Sequence, residues 1–193
     1  ISKQEGTLTV TNREAKYEIT VKANSATATY DGKEHEAVGV ETYEFTVEGN
    51  SYTVSGLSTE DPKQKDAGSY TNNITGTPVV TDKEGNVVTS EFEVKTENGS
   101  LEIGKAAVTL KSATLSKKYD GNALVNGDTA LEIESGFAEG EGATYNFTGS
   151  QTVVGSSANA FSYELNGNTN IDNYEISKQE GTLTVTNREA KYE

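Results

Sequence analysis

The sequence predicts an all-β protein, and three observations support this fold class. Apolar and polar residues alternate along short segments, as at Phe45 and Val47 or at Leu101 and Ile103. Glycine, asparagine and aspartate interrupt these segments roughly every eight to twelve residues, which is typical of strands joined by turns. No segment has a convincing helical period, and residues 59–67 have room for one short turn at most. Alternation of this kind places one face of each strand in a core and the other in water.

A perfect internal repeat indicates how the chain is organised. Residues 1–18 (ISKQEGTLTVTNREAKYE) return letter for letter at 176–193, 175 residues later. A copy at such a distance is the signature of a tandem array. We therefore expect residues 1–18 to be an overhang carrying the last strand of the preceding repeat, and residues 190–193 to begin the next one.

A weaker repeat lies inside this period and predicts two similar modules. The matching segments are 19–22 with 108–111, 30–32 with 119–121, and 85–103 with 167–185. We therefore predict module A over 19–106 and module B over 107–189. Module A carries extra residues around 75–84, which we interpret as a longer hairpin ending in a turn at 82–86.

The Asp66, Gly68 and Tyr70 spacing is that of a tyrosine corner, in which a tyrosine hydroxyl bonds back to the backbone of a β-sandwich. In module B we align residues 157–161 with this segment. The predicted fold is therefore two tandem Ig-like β-sandwich modules end to end. The alternative is β-grasp-like modules with one short helix, which a helix of more than two turns would favour.

Each module contains a Tyr-Asp-Gly motif, at Tyr30-Asp31-Gly32 and at Tyr119-Asp120-Gly121. The aspartate can accept N–H groups of a turn, and glycine permits a positive φ. We interpret both motifs as structural turns that end a strand, in preference to binding loops.

The composition argues against several functions. Thirty acids and sixteen bases give a net charge of −14, which disfavours nucleic acid and anionic membranes as partners. There is no cysteine, and His35 is the only histidine, so a thiol site, a zinc site or a hydrolase triad cannot be assembled. The alternating polar residues at 166–172 resemble a calcium loop but offer one carboxylate, and a plain loop is the preferred interpretation. We expect no enzyme activity and no cofactor.

Four motifs together resemble a known family. They are the Y-D-G turns, the D-A-G-x-Y segment at 66–70, the N-x-x-x-x-N-Y-x-I stretch at 168–176 and the closing G-T-L-T-V strand at 181–185. Their recurrence resembles the MBG/YDG-type repeats of bacterial cell-surface adhesins. The resemblance implies an extracellular protein anchored to a Gram-positive cell wall. Its modules would serve as a structural stalk or spacer that projects a distal binding region. Alternatively, the repeats themselves would bind a host glycoprotein such as mucin, or extracellular matrix.

The resemblance also implies neighbouring repeats of the same chain as partners, a monomer, and no membrane insertion in this fragment. Stalk modules of Gram-positive bacteria often carry a Lys–Asn isopeptide bond, for which Lys111 and Asn187 are the candidates by position. Val108 and Leu110 are predicted to point inward, which turns Lys111 outward and argues against the bond.

The strand predicted at 7–11 has lost its module. Its apolar stripe, Leu8 and Val10, has no predicted partner within the chain. We expect this strand to be disordered or docked on a neighbouring molecule, because an unpaired strand pairs readily with any available edge.

Overall fold

A computed structural model describes residues 5–9, 11 and 15–188. Val10 and the predicted start of the next repeat at 190–193 lie outside the described residues. The chain is all-β, with 55 % strand and 3 % helix, which confirms the predicted class. The described residues contain only two 3-10 turns, Thr89–Glu91 and Ile171–Asn173, so the longer helix of the β-grasp alternative is absent from them. None of their helices is long and apolar enough to span a membrane.

The first half of the chain forms ten strands. They are β1 Tyr17–Lys22, β2 Ala26–Thr29, β3 His35–Glu36, β4 Glu44–Val47, β5 Asn50–Thr59, β6 Lys63–Gln64, β7 Gly68–Asn72, β8 Ile74–Asp82, β9 Phe92–Glu97 and β10 Gly99–Gly104. β1 pairs with β9 in parallel, and the other sheets have the orders β2-β10-β7, β4-β5-β8 and β3-β6.

The second half forms ten more strands. They are β11 Ala106–Lys111, β12 Leu115–Lys118, β13 Leu124–Val125, β14 Ile133–Ser135, β15 Ala143–Phe147, β16 Ser150–Gln151, β17 Gly155–Ala158, β18 Phe161–Leu165, β19 Tyr174–Gln179 and β20 Thr182–Thr186. The sheet orders are β14-β11-β19, β12-β20-β17, β13-β16 and β15-β18. The parallel pair β1–β9 thus recurs as β11–β19, and the order β2-β10-β7 recurs as β12-β20-β17.

Gly99 and Gly181 occupy equivalent positions, and each allows the chain to bend as it passes from one sheet to the next. A Cβ on Gly99 would lie 2.1 Å from the Asn24 carbonyl oxygen, and one on Gly181 would lie 2.3 Å from that of Ala113. No side chain fits at such a distance. The backbones therefore cross closely where β9 ends and β10 begins, and again where β19 ends and β20 begins.

The chain divides into two compact units. Unit 1 comprises residues 1–27, 35–64 and 69–102, and unit 2 comprises 28–34, 65–68 and 103–193. Three short segments of predicted module A, 28–34, 65–68 and 103–106, therefore belong to unit 2. The units are defined by spatial contact, and the module limits taken from the sequence repeat remain a prediction.

Alternating residues fill the cores. In unit 1, the buried cluster contains Ile19, Val21, Val54, Val80 and Phe92. In unit 2, β11 and β20 contribute the alternating residues that are almost fully buried, Val108, Leu110, Leu183 and Val185. Burying an aliphatic side chain of this size stabilises the fold by roughly 1.5–3 kcal/mol.

The turn predicted at 82–86 is present at the end of β8, where the backbone N–H of Gly85 donates to the Asp82 carbonyl at 3.0 Å. β8 pairs with β5 as far as Asp82, whose carboxylate accepts the backbone N–H groups of Glu84 and Asn86 at 3.0 and 2.8 Å. Gly85 has a φ of 86°, which glycine adopts without strain. The side-chain amide of Asn86 donates to Oδ2 of Asp82 at 2.9 Å and, together with the backbone N–H of Asn86, keeps the pKa of this carboxyl below its ordinary value.

Candidate functional site: a tyrosine–glutamate cluster in unit 2

Segments that are far apart in sequence meet at a buried carboxylate in unit 2. The Tyr30 hydroxyl donates to Oε1 of Glu141 at 2.5 Å, and the Tyr174 hydroxyl donates to Oε2 at 2.8 Å. Tyr30 is 4 % exposed and Tyr174 is 2 % exposed. The residues that form this site, which we call the tyrosine–glutamate cluster, are Tyr30, Lys65, Asp66, Glu141, Asn173 and Tyr174.

Hydrogen-bond donors and a cation compensate the buried negative charge of the Glu141 carboxylate. Its side chain is 7 % exposed, and the ammonium group of Lys65 lies 4.0 Å from Oε1. Removal of a charge from water costs several kcal/mol unless partners replace the lost hydration. Two hydroxyl donors and one cation supply that replacement here.

The same contacts keep the two tyrosines protonated. Burial, and then the hydrogen bond to Glu141, raise the pKa of Tyr30 well above its ordinary value. Burial also raises the pKa of Tyr174, although the backbone N–H of Ala138, which donates to its hydroxyl at 3.0 Å, acts in the opposite direction. Both hydroxyls therefore remain donors at neutral pH.

The buried side-chain amide of Asn173 adds two further hydrogen bonds to the cluster. The backbone N–H of Ala67 donates to Oδ1 of Asn173 at 2.8 Å, and Nδ2 of Asn173 donates to Oδ1 of Asp66 at 2.9 Å. Asn173 is 1 % exposed, so the loss of either contact would leave a buried polar group unsatisfied.

Aromatic packing surrounds the polar contacts. The ring of Tyr174 meets Tyr30 edge to face at a centroid distance of 5.3 Å, and it meets Phe137 at 5.2 Å. Gly32 has a φ of 79°, and a Cβ there would lie 3.0 Å from that of Ala138. The Asp31 carboxylate accepts the N–H of Lys33 at 2.9 Å. The first Tyr-Asp-Gly motif is thus a tight turn that also packs against residues 137–138.

The second Tyr-Asp-Gly motif is also a turn, but its surroundings are open. Asp120 accepts the N–H of Asn122 at 2.9 Å and the ammonium of Lys117 at 2.8 Å. Gly121 has a φ of 85°, and a Cβ there would meet no atom within 4 Å. Tyr119 is half-buried. The two motifs therefore share the turn and differ in what covers it.

The tyrosine corner remains a prediction. Tyr70 is half-buried in β7, Gly68 begins that strand, and Asp66 accepts from Asn173 in the cluster. Our alignment of residues 157–161 with this segment was wrong. β7 and β17 hold equivalent places beside β10 and β20, which aligns Tyr70 with Ser157, and Phe161 begins β18 instead. The segments are too short and polar for sequence alone to fix the register.

The other predicted residues lie apart from the cluster. Lys111 pairs in register with Gln179, and its ammonium lies 2.9 Å from Oε1 of Glu132. Asn187 is exposed, one residue beyond β20, and the isopeptide bond remains the disfavoured alternative. His35 is half-buried in β3.

The loop at 166–172 uses its asparagines for turn contacts. Nδ2 of Asn168 donates to the carbonyl of Gly140 at 2.8 Å, and Oδ1 of Asn170 caps the following 3-10 turn by accepting from the N–H of Asp172 at 3.0 Å. Over residues 5–9, 11 and 15–188, no group of three or more histidine, aspartate or glutamate side chains could hold a metal ion.

Sequence reasoning missed two buried asparagines that occupy equivalent positions. Nδ2 of Asn72 donates to the carbonyl of Asn24 at 3.1 Å, and Nδ2 of Asn159 donates to that of Ala113 at 2.9 Å. Both asparagines are 0 % exposed. Asn72 thus bonds the end of β7 to the bend after β1. Asn159, which follows β17, bonds to the bend after β11. The separation between asparagine and bonded carbonyl is 48 residues in the first half and 46 in the second, so the repeat spacing did not reveal the pair.

Comparison with known proteins assigns no family. No family model, no curated protein and no solved structure matches this chain. The cluster joins four chain segments through hydrogen bonds and one ion pair, most of them to Glu141 and Asn173.

Proposed function

We propose that this chain is a structural repeat of an elongated bacterial surface adhesin, built from two tandem Ig-like β-sandwich modules of the MBG/YDG type. In this role it would be displayed outside a Gram-positive cell and would hold a distal binding region away from the wall. The observation that carries the proposal is the perfect recurrence of residues 1–18 at 176–193. A spacer tolerates identical copies because its task depends on the number and stiffness of its units.

The tyrosine–glutamate cluster supports the mechanical part of this proposal. Residues 30 and 65–67, from predicted module A, contact residues 137–141 and 173–174, from predicted module B. All of these residues belong to unit 2, so buried hydrogen bonds hold segments 28–34 and 65–68 of predicted module A within that unit. The open turn at 119–121 is the equivalent surface, which the next period of an array would cover.

Small-angle scattering on arrays of one, two and four periods tests the proposal. We expect the maximum dimension to rise in proportion to the number of periods. A rise closer to the square root would mean flexible junctions and would contradict a spacer role. Retention of the four-period array on mucin or matrix surfaces, compared with an acidic protein of similar size, would instead favour direct binding by many weak sites.

A matched pair of substitutions assigns the stiffness to the cluster. Glu141→Gln in every period removes the buried charge, and Glu139→Gln removes an exposed charge from the same segment. We expect the first variant alone to shorten the four-period array. Equal dimensions for both variants would show that stiffness has another origin.

A further inference from the structure

Two segments of unit 2 lie at the same end of the sheet β12-β20-β17. β12 ends opposite Thr186 of β20, and β17 begins opposite Val185. The turn at 119–121 follows β12, and residues 153–154 precede β17, so both segments flank the end of β20. We call residues 119–121 and 153–154 together the turn face.

The corresponding end of the sheet β2-β10-β7 has the same turn, but there it is covered. The N–H of Tyr30 donates to the Gly104 carbonyl at 2.8 Å, and the N–H of Tyr119 donates to the Thr186 carbonyl at the same distance. Tyr30 is 4 % exposed, whereas Tyr119 is half-buried. Residues 28–34 belong to unit 2, so the first turn is seated in that unit.

The second segment of the turn face also has a covered counterpart. Residues 66–67 correspond to 153–154, because β7 begins at Gly68 and β17 begins at Gly155. Residues 66–67 belong to unit 2 and bond to its buried residue Asn173. Their counterparts are both valines, which are 66 % and 48 % exposed. Unit 2 thus holds both first-half segments that correspond to the turn face.

Unit 1 contains a counterpart of the carboxylate at the centre of the tyrosine–glutamate cluster. The sequence Glu-Gly-x-x-Tyr begins at Glu48 and again at Glu141. Oε2 of Glu141 accepts from the Tyr174 hydroxyl at 2.8 Å. Oε2 of Glu48 accepts from the Tyr17 hydroxyl at 2.7 Å. Each unit therefore has a carboxylate that bonds to a tyrosine of the same unit.

The two tyrosine donors stand on opposite members of a parallel strand pair. Tyr17 in β1 pairs in register with Phe92 in β9, and Ala106 in β11 pairs in register with Tyr174 in β19. The ring centroids of Tyr17 and Phe92 lie 5.6 Å apart. Unit 1 thus retains a tyrosine hydroxyl on its carboxylate although phenylalanine replaces Tyr174.

A further pair of counterparts differs in a complementary way. Glu91 and Asn173 are the last residues of the two 3-10 turns. Asn173 accepts from the N–H of Ala67 and donates to Asp66, whereas a glutamate carboxylate can only accept. An aspartate opposite Glu91 would meet a like charge, which costs free energy. The turn face has Val153 at the position of Asp66, so it fits a glutamate.

We propose that the turn face binds unit 1 of a second copy of this chain. The Tyr119 hydroxyl donates to the Glu48 carboxylate, and the N–H of Val154 donates to the Glu91 carboxylate. The contact also covers part of the apolar surface of the two valines. Because the two surfaces differ, the contact repeats from one copy to the next. That the second copy is the following period of an array rests on the proposed function.

The connection between periods is long enough for this contact. Ala106 begins β11 two residues after Gly104, the end of β10. In an array, Tyr17 would begin β1 of the following period six residues after Thr186, the end of β20. Each residue adds up to about 3.3–3.6 Å of reach, so the longer connection can span the distance that the shorter one does.

Amide exchange in a two-period chain tests the contact. The period that carries ¹⁵N is either the first or the second, so that NMR distinguishes residues of identical sequence. We expect the Val154 N–H of the first period to exchange with water at least about tenfold more slowly than that of the second period, whose turn face has no following period. Equal exchange rates in the two periods would overturn the proposal.

Substitution of Glu48 tests the acceptor of the Tyr119 hydroxyl. Glu48→Gln in the second period should raise the exchange rate of Val154 in the first period, because a charged acceptor is replaced by a neutral one. Glu44→Gln is the matched control, because it removes an exposed charge from the adjoining strand β4. Equal rates for the two variants would show that Glu48 is not the acceptor. Circular dichroism of the one-period variants verifies that they fold.

A charge pair provides a second test that begins from an exposed residue. Val153→Asp in the first period places a carboxylate opposite Glu91 and should abolish the protection of Val154. Adding Glu91→Asn in the second period should restore it, because the two changes recreate the pair of Asp66 and Asn173. Each rate is divided by that of the same first-period substitution in a one-period chain. Protection that survives Val153→Asp would contradict the proposed contact.

The exchange and scattering results separate this contact from the proposed function. Dimensions proportional to the number of periods, without amide protection, would support the spacer and overturn the contact. Amide protection in an array whose dimensions follow the square root would support the contact and contradict the spacer.

Discussion

The buried carboxylate of Glu141 makes the Tyr30 hydroxyl important for the stability of the fold. Its carboxylate is almost fully buried, and Tyr30 is one of two tyrosines that donate to it. A hydrogen bond to a buried charged group contributes about 1.5–3 kcal/mol, and its loss leaves that charge partly uncompensated. Tyr30 therefore stabilises the fold mainly through its oxygen and not only through its ring.

We expect Tyr30→Phe to lower the free energy of unfolding at neutral pH by about 1.5–3 kcal/mol. Urea denaturation followed by circular dichroism measures this change. Tyr119→Phe is the matched control, because Tyr119 occupies the same position in the second turn and is only half-buried. A smaller loss for Tyr30→Phe than for Tyr119→Phe would contradict the role assigned to the cluster.

The same substitution should change the response to alkaline pH. Burial first, and then the bond to Glu141, raise the pKa of Tyr30 in the folded chain, whereas an unfolded tyrosine titrates near about 10. Above that pH the folded state retains a proton that the unfolded state has lost, so stability falls as pH rises, by about 1.4 kcal/mol per pH unit for one such group. Tyr30→Phe should therefore make the fall above pH ~10 shallower. An unchanged slope would contradict this account.

The sequence predicted the turn at Tyr30 but not its partner. Tyr30 and Glu141 are 111 residues apart, and Glu141 is one of thirty acids in the chain. No local pattern distinguishes one acid among so many. Asn173 and Tyr174 were part of a recognised motif, although their contacts depend on tertiary structure that a motif does not specify.

The bend between β19 and β20 requires a glycine at position 181, although the φ of Gly181 is not in the left-handed region. A Cβ on Gly181 would lie 2.3 Å from the Ala113 carbonyl oxygen and 2.4 Å from that of Ser112. Both obstacles are backbone atoms, so no side-chain movement can relieve the overlap. The requirement is for space and not for an unusual backbone conformation.

We therefore expect Gly181→Ala to destabilise the protein by at least about 1–3 kcal/mol, the range for overpacking in a tight site. Gly167→Ala is the matched control, because a Cβ there would meet nothing within 4 Å. Thermal unfolding of the two variants beside the parent measures the difference. Similar melting temperatures for both variants would mean that the crossing strands adjust without cost.

Strand positions were predictable from the sequence, whereas strand partners were not. Alternation at 108–110 and 183–185 correctly indicated which residues are buried. A period of two residues does not specify a neighbour, however, so the parallel pairing of β11 with β19 could not be derived. The matching of 157–161 with the first half failed for a related reason, since few apolar residues fix the register there.

For the whole molecule, the duplicated segment provides an internal comparison of identical sequences. Residues 5–9, 11 and 15 are exposed, whereas the second copy contributes β20 and its two buried aliphatic residues to unit 2. Deletion of residues 1–15 should therefore shift the melting temperature by less than about 4 °C, which corresponds to roughly 1 kcal/mol in a chain of this size. Deletion of 176–193 should instead abolish the cooperative unfolding of unit 2, because β12 and β17 lose β20, the strand that pairs with both. Differential scanning calorimetry of the two deletion variants beside the parent measures both changes. A large fall after the first deletion would mean that residues 1–15 complete the fold of unit 1.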